Sequence, residues 1–140
     1  MTPALWIARA LAFLGFLDAA WLTASHLAGR ALACGPTEGC EVVLTSRYAT
    51  IGDVPVAAVG AAYYAVASLI AWTPGRSWSR GLALVFVGLE GVAVAISAVL
   101  VWIQWSVVGA WCPFCLVSAG LTLGLFVCAL ALVAAHPVRP

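Results

Sequence analysis

The sequence lacks lysine altogether and has one methionine and few charges, with Asp, Glu, Lys and Arg making up 8% of its 140 residues. Soluble domains contain about 25% charged residues because their surface faces water. The formal net charge of +1 also provides no basic face for nucleic acid. A soluble domain, a disordered chain and a nucleic-acid-binding protein are therefore excluded, and membrane lipid is the expected environment.

Hydrophobic residues make up 65% of the chain and are grouped in long stretches. A membrane-spanning helix needs about 20 mostly apolar residues, and the hydrocarbon core admits only helices or closed barrels. The alternating pattern of barrel strands is missing. The sequence therefore predicts an all-α membrane protein, a single four-transmembrane-helix bundle over 1–140. The predicted spans are at about 10–29, 55–72, 81–104 and 113–135.

The arginines predict how the bundle is oriented. With four spans, both termini and the second connection share one side of the membrane. Four of the six arginines lie on that side: Arg9, Arg76, Arg80 and Arg139. Since arginine is concentrated in cytoplasmic segments, we expect cytoplasmic termini in the inner (plasma) membrane. The connection 30–54, here called the redox loop, then faces the periplasm or exterior, where disulfides persist.

Four of the five cysteines form two pairs at this outer face. Cys34 and Cys40 lie in the redox loop, and Cys112 and Cys115 form a Cys-Pro-Phe-Cys motif at the start of the last span. The loop pair is equally consistent with a structural staple. A disulfide within the second pair closes too short a segment to stabilise the fold, whereas a helix N-terminus stabilises a thiolate. A metal site or an inert pair is the alternative there.

The fifth cysteine is set apart from these pairs by its depth. Cys128 lies about 20 Å along the last helix from Cys115 at 1.5 Å per residue, so we interpret it as a small buried hydrophobe. Two pairs at one face predict a thiol–disulfide relay, which must end in an acceptor. Since the sequence has no haem, flavin, nicotinamide or cluster motif, a lipid-soluble quinone in an apolar pocket fits best.

The ordered set of motifs resembles the vitamin K epoxide reductase family, in its bacterial disulfide-forming branch. The resemblance covers nearly the whole chain, and the order of the motifs is more specific than any one of them. In chain order they are Asp18, His26, Cys34, Cys40, Ser46-Arg47-Tyr48, Val54-Pro55-Val56, Gly60, Tyr63-Tyr64, Gln104 and Cys112-Pro113-Phe114-Cys115.

The resemblance implies an enzyme that forms disulfides in exported proteins and reduces quinone. Cys34 would exchange with a thioredoxin-like partner, and Cys40 would pass electrons to Cys112. Cys115 would then face a quinone of the ubiquinone or menaquinone type. Many bacterial relatives carry a fused thioredoxin domain, and none follows here within 140 residues. The thioredoxin-like partner is therefore expected to be a separate protein.

The same resemblance implies a quinone site and its supporting residues. Residues expected to contact the quinone are Cys115 and Leu44, together with Phe114 and Trp111, two aromatic residues near the mouth. On composition alone, these two aromatic residues are equally consistent with anchors at the membrane interface. Ser46 would lie on a short helix of the redox loop that covers the pocket, and Asp18 would support the site. Val56 and Ala119 stand where epoxide-reducing animal members carry asparagine and tyrosine, so the residues favour quinone reduction over epoxide reduction.

Two acids, Asp18 and Glu90, lie within predicted spans. Ionisable groups inside a membrane are costly and are functional by default. Either acid could handle quinone protons, or could be neutral and hydrogen-bonded to a neighbouring helix. The sequence leaves both readings open.

A second class of function is a thiolate-based transporter of soft metal ions such as Hg²⁺ or Cu(I). Such a protein needs cysteines at successive depths, or Met and His along a pore. Four cysteines here share one face and Met1 is the only methionine. A structural subunit with stapled loops is a third reading, which thiol chemistry would separate from the first.

Overall fold

The computed structural model of the protein describes residues 2–29 and 39–136. Within these ranges the chain forms helices joined by short connections and one small hairpin. The elements are α1 (Pro3–Leu27), α2 (Gly39–Leu44), β1 (Thr50–Ile51), β2 (Val54–Pro55), α3 (Val56–Ala71), α4 (Arg80–Ile103) and α5 (Pro113–Ala135). A 3₁₀ turn, Gly75–Ser77, precedes α4, and a π-helical turn, Gln104–Val108, extends it.

Among the described residues, three helical segments are long and apolar enough to cross a membrane: Pro3–Leu27, Arg80–Val108 and Pro113–Ala135. The fourth apolar helix, α3, has 16 residues. At 1.5 Å per residue it is about 24 Å long, which is shorter than a hydrocarbon core of about 30 Å. The predicted class, an all-α membrane protein, is thus confirmed, with three candidate spans and one shorter apolar helix.

Helix α1 begins at Pro3, well before the predicted start of the first span near residue 10. The apolar pattern is interrupted at Arg9, which is buried with 7% of its surface exposed. Its guanidinium donates hydrogen bonds to the carbonyl oxygens of Ala71 (2.9 Å) and Thr73 (3.2 Å). Arg9 satisfies carbonyl oxygens that the end of α3 leaves open. Helix α1 therefore includes Arg9, although the charge of this residue had indicated a helix that starts after it.

Small residues allow the helices to approach closely, as in other membrane bundles. Helix α1 packs against α3 and α5, and α4 packs against α5. Gly15 of α1 lies under the ring of Tyr64, and a Cβ atom there would come within 2.1 Å of that ring. Glycine at this position therefore lets Tyr64 reach across the bundle toward α5.

The described part of the redox loop contains the expected short helix, α2, and a hairpin. Strands β1 and β2 pair antiparallel, Thr50 with Pro55 and Ile51 with Val54. Gly52 supplies the positive φ of 63° in the two-residue turn between them. The hairpin leads the chain directly into α3, whose N-cap is Pro55.

Ser46 follows the short helix instead of lying on it. Helix α2 ends at Leu44, and the Ser46 hydroxyl donates a hydrogen bond to the carbonyl oxygen of Val43 at 2.7 Å. The position implied by the family resemblance is corrected accordingly. Ser46 satisfies one of the carbonyls that the end of a helix leaves open.

Candidate active site

The motif Cys112–Cys115 begins helix α5. Cys112 is the N-cap residue, and its sulfur accepts a hydrogen bond from the backbone N–H of Cys115 at 3.3 Å. Pro113 occupies the first turn, where its missing N–H costs nothing. The backbone N–H of Cys112 donates to Oε1 of Gln104 at 3.0 Å. Both cysteines are free thiols, so the geometry is that of a dithiol held at a helix N-terminus.

The surroundings of Cys112 favour its thiolate. Hydrogen bonding with the Cys115 side chain lowers the pKa of Cys112 most strongly, and burial opposes this effect. The backbone N–H of Cys115 lowers the pKa further, while the negative charge of Asp18 raises it. The resulting pKa lies below the ordinary value of 9.0. A thiol of this kind is suited to disulfide exchange, because the thiolate is the attacking form.

Helix α2 packs against the residue that precedes the dithiol. A Cβ atom on Gly39 would lie 1.9 Å from the carbonyl oxygen of Trp111, so the two backbones are in direct contact. Cys40, the next residue, is fully buried and disulfide-bonded. Cys34 lies outside the described residues. The contact brings the helix that carries Cys40 to the segment leading into Cys112.

A cavity of about 320 Å³ lies between the helices below this contact. Its walls come from all five helices and from the hairpin, and they are mainly apolar. Members of the wall include Leu22, Val43, Val59, Leu89, Ile96, Leu100 and Val108. Small-molecule sites usually have volumes of about 300–1,000 Å³ and apolar linings with few polar groups, so the cavity has the size and character of a ligand site.

The residues predicted for the site divide between the cavity wall and its surroundings. Three of them line the cavity: Cys115, Leu44 and Ser46. Phe114 and Trp111 are not in its wall, and Trp111 lies on the outer surface, 47% exposed. Asp18 is also outside the wall. Its Oδ2 atom is buried without a hydrogen-bond partner in the described part of the chain.

The two positions compared with epoxide-reducing relatives both face the cavity. Val56 at the start of α3 and Ala119 on α5 belong to the wall. Neither side chain can form a hydrogen bond. At these two places the cavity therefore presents only carbon atoms to a ligand.

A row of polar groups on α5, which sequence reasoning missed, continues inward from Cys115. Ser118 and Thr122 follow at helical spacing and also line the cavity. The Tyr64 hydroxyl lies 3.0 Å from Oγ of Ser118 and 2.9 Å from Oγ1 of Thr122, and it donates to the Ser118 carbonyl at 2.7 Å. The spacing from Cys115 was the signal that could have identified this row.

Deeper in the bundle, the row approaches a second tyrosine and a carboxyl group. The Tyr63 ring lies beside that of Tyr64, with centroids 4.7 Å apart, and Tyr63 also lines the cavity. Its hydroxyl donates a hydrogen bond to Oε2 of Glu90. Glu90 is 0% exposed, and within residues 2–29 and 39–136 its Oε1 has no hydrogen-bond partner.

The remaining cysteine is part of the core. Cys128 is a free thiol, 7% exposed, among the packed apolar side chains of α5 and its neighbours. In the part of the chain that the structure describes, no three His, Cys, Asp or Glu side chains form a group that could hold a metal ion.

A dithiol at the head of an apolar cavity, within a bundle of membrane helices, defines a membrane-bound redox protein. The comparison with family models gives the particular group. The vitamin K epoxide reductase family matches residues 6–130, and the chain belongs to this family. Membership confirms the resemblance drawn from the motifs and indicates oxidoreductase activity. A comparison with curated proteins gave no match.

Proposed function

We propose that the protein oxidises a thioredoxin-like partner and reduces a quinone, supporting disulfide formation in exported proteins. Electrons pass from the partner to the Cys34/Cys40 pair, then to the Cys112/Cys115 pair and on to the quinone. One observation carries the proposal. Cys115 lies in the wall of an apolar cavity. The other cysteine of the motif, Cys112, directly follows Trp111, whose backbone contacts the helix that carries Cys40.

The cavity fits the ring of a quinone. Its volume of about 320 Å³ and its apolar walls suit a planar ring with a hydrocarbon tail. A quinone bound beside Cys115 accepts two electrons and two protons and leaves as the quinol. Val56 and Ala119 replace the asparagine and tyrosine of epoxide-reducing relatives, and this difference favours a quinone over an epoxide as the substrate.

Several residues have separate roles in the proposed thiol–disulfide exchange. Cys112 supplies the more reactive thiolate because its pKa is lowered by hydrogen bonding with Cys115. Gln104 holds the backbone of Cys112 at the helix start through its side-chain oxygen. Ser46 and Leu44 contribute to the cavity wall from the redox loop.

The proposed topology has four spans with cytoplasmic termini in the inner membrane. Arg9 supports an antiparallel course of α1 and α3, because its hydrogen bonds join the N-terminal part of α1 to the C-terminal end of α3. The redox loop and the start of α5 then share the outer face, where they would meet the thioredoxin-like partner.

The test is quinol formation by purified protein in the presence of a reduced thioredoxin-like donor. We expect wild-type protein to reduce a ubiquinone or menaquinone analogue, and Cys115→Ala protein to form no quinol. Cys128→Ser is the matched control because it removes the distant thiol, and it should keep wild-type turnover. Absence of quinol formation by the wild type with both quinone types would refute the proposal.

A further inference from the structure

We infer that Glu90 and Tyr63 form a proton donor for the bound quinone, with Glu90 as the proton store and Tyr63 as the group that faces the cavity. The inference rests on the proposed function and extends it to the source of a proton. It starts from the buried carboxyl group of Glu90, one of whose two oxygens has no hydrogen-bond partner among the described residues.

The surroundings of Glu90 favour its neutral form. Its side chain is completely buried in the middle of α4. The titratable side chains that act on it from neighbouring helices are Tyr63 and Tyr64 of α3 and Cys128 of α5. None of these is a cation. Since a buried carboxylate without a cationic partner is costly, the acid holds a proton that it can give up during turnover.

Tyr63 connects this proton to the cavity. Its hydroxyl is hydrogen-bonded to Oε2 of Glu90, and the residue forms part of the cavity wall. Either oxygen of such a hydrogen-bonded pair can carry the proton between them. When Glu90 donates to the Tyr63 oxygen, the Tyr63 O–H is free to turn toward the cavity. Reversal of one hydrogen bond therefore makes a donor to a ligand oxygen.

Polar groups continue from this pair toward the dithiol. The ring of Tyr63 touches that of Tyr64, and the Tyr64 hydroxyl meets Ser118 and Thr122. These two side chains and Cys115 lie along one face of α5. In a cavity whose walls are mainly apolar, this row ends at the sulfur in one direction and at the buried acid in the other.

The proton from Glu90 balances the reaction. Oxidation of a Cys112 thiolate and a Cys115 thiol to their disulfide releases two electrons and one proton. Reduction of a quinone to the quinol takes two electrons and two protons. Glu90 supplies the second proton through Tyr63, and water returns a proton to the carboxylate after the quinol has left.

The experiment compares wild-type, Glu90→Gln and Tyr63→Phe proteins in a single turnover, starting from the dithiol form produced with dithiothreitol. Quinone binding is measured by quenching of tryptophan fluorescence with a ubiquinone analogue. Quinol formation is measured as a function of pH. Redox-induced infrared difference spectra report the carbonyl band of a protonated carboxylic acid.

We expect Glu90→Gln to bind quinone as tightly as the wild type, because Glu90 is not in the cavity wall. Quinol formation should be slower by about 100-fold or more, the usual contribution of a positioned acid. The carboxyl band that changes in the wild type should be missing. Tyr63→Phe should slow the step by a similar factor, and the double variant should be no slower than either single variant.

Cys128→Ser is the matched control because Cys128 interacts with Glu90 and contributes nothing to the proposed reaction. It should keep the wild-type rate and the carboxyl band. Wild-type rates in Glu90→Gln would overturn the inference, as would a carboxyl band that persists in it. If Glu90→Gln does not fold, an unchanged rate in Tyr63→Phe overturns the inference by itself. A wild type that binds no quinone overturns the proposed function and the inference together.

Discussion

At Cys112, three local features act on one sulfur atom. The residue caps a helix, accepts the N–H of Cys115 and hydrogen-bonds with its side chain. Each of these stabilises negative charge, and together they outweigh the opposing effect of burial. The same residues explain why the CxxC motif could be recognised from sequence: Pro113 marks the helix start and the cysteine spacing gives the pair. The hydrogen bond between Cys112 and Gln104 could be identified only from the folded structure.

The lowered pKa of Cys112 predicts how the dithiol form responds to pH. In protein with the loop pair oxidised, the ultraviolet absorbance of the thiolate should rise with a midpoint below 9.0. Cys115→Ala should move this midpoint upward, because it removes the largest favourable interaction. Cys128→Ser gives the control for absorbance from the distant thiol.

The same shift has a consequence for stability. Because folding lowers the pKa of Cys112, the dithiol form gains stability as the pH rises from the folded pKa toward the unfolded value. That gain is lost as the pH falls through the folded pKa. A thiolate midpoint at or above 9.0 in the wild type would contradict this account of Cys112.

At the level of elements, the contact between α2 and the start of α5 joins the helix that carries Cys40 to the segment before Cys112. Gly39 is the position that allows it, since any side chain would collide with the Trp111 carbonyl. This constraint could not be predicted from the sequence, because Gly39 has the pattern of an ordinary loop glycine. The last span was predictable in full, and 113–135 coincides with α5. The start of α1 could not be predicted, because the carbonyl partners of Arg9 come from α3 and are near it only in the folded bundle.

Gly39→Ala should separate the two pairs. The added Cβ atom must displace α2 from Trp111, at a cost of about 1–3 kcal/mol for overpacking. Quinol formation driven by the protein donor should fall at least about tenfold, a factor that corresponds to 1.4 kcal/mol. The rate with dithiothreitol should stay close to that of the wild type.

Gly120→Ala is the matched control, because a Cβ atom at Gly120 meets nothing within 4 Å. It should leave both rates unchanged. Equal donor-driven rates in Gly39→Ala and wild-type protein would show that the α2–α5 contact does not carry the exchange.

At the level of the whole molecule, the bundle places its chemistry at one end and its arginine contact at the other. The membrane class could be predicted from composition alone, because a chain with 65% hydrophobic residues has too few polar residues to cover a surface that faces water. The inner polar row could not be predicted in the same way. Tyr64, Thr122 and Glu90 come from three different helices, and only the packing decides that Tyr64 and Thr122 line one cavity and that Glu90 lies behind its wall.

The proposed orientation is tested with two introduced cysteines in exposed turns at opposite ends of the bundle. Asp53 lies in the hairpin turn and Ser77 in the connection between α3 and α4. In oxidised Cys128→Ser protein, a membrane-impermeant maleimide should label Asp53→Cys in intact cells. Ser77→Cys should react only after permeabilisation. The opposite pattern would place the termini outside the cell membrane and the redox loop in the cytoplasm.

The central claim, that electrons reach the quinone through the loop pair and then the inner pair, is tested most directly by changing the donor. Quinol formation is measured for Cys34→Ala and Cys115→Ala proteins, each with dithiothreitol and with a reduced thioredoxin-like protein. We predict that Cys34→Ala is inactive with the protein donor but active with dithiothreitol, because the small reductant reaches the inner pair directly. Cys115→Ala should be inactive with both donors. Full quinone turnover by Cys115→Ala with dithiothreitol would contradict the relay.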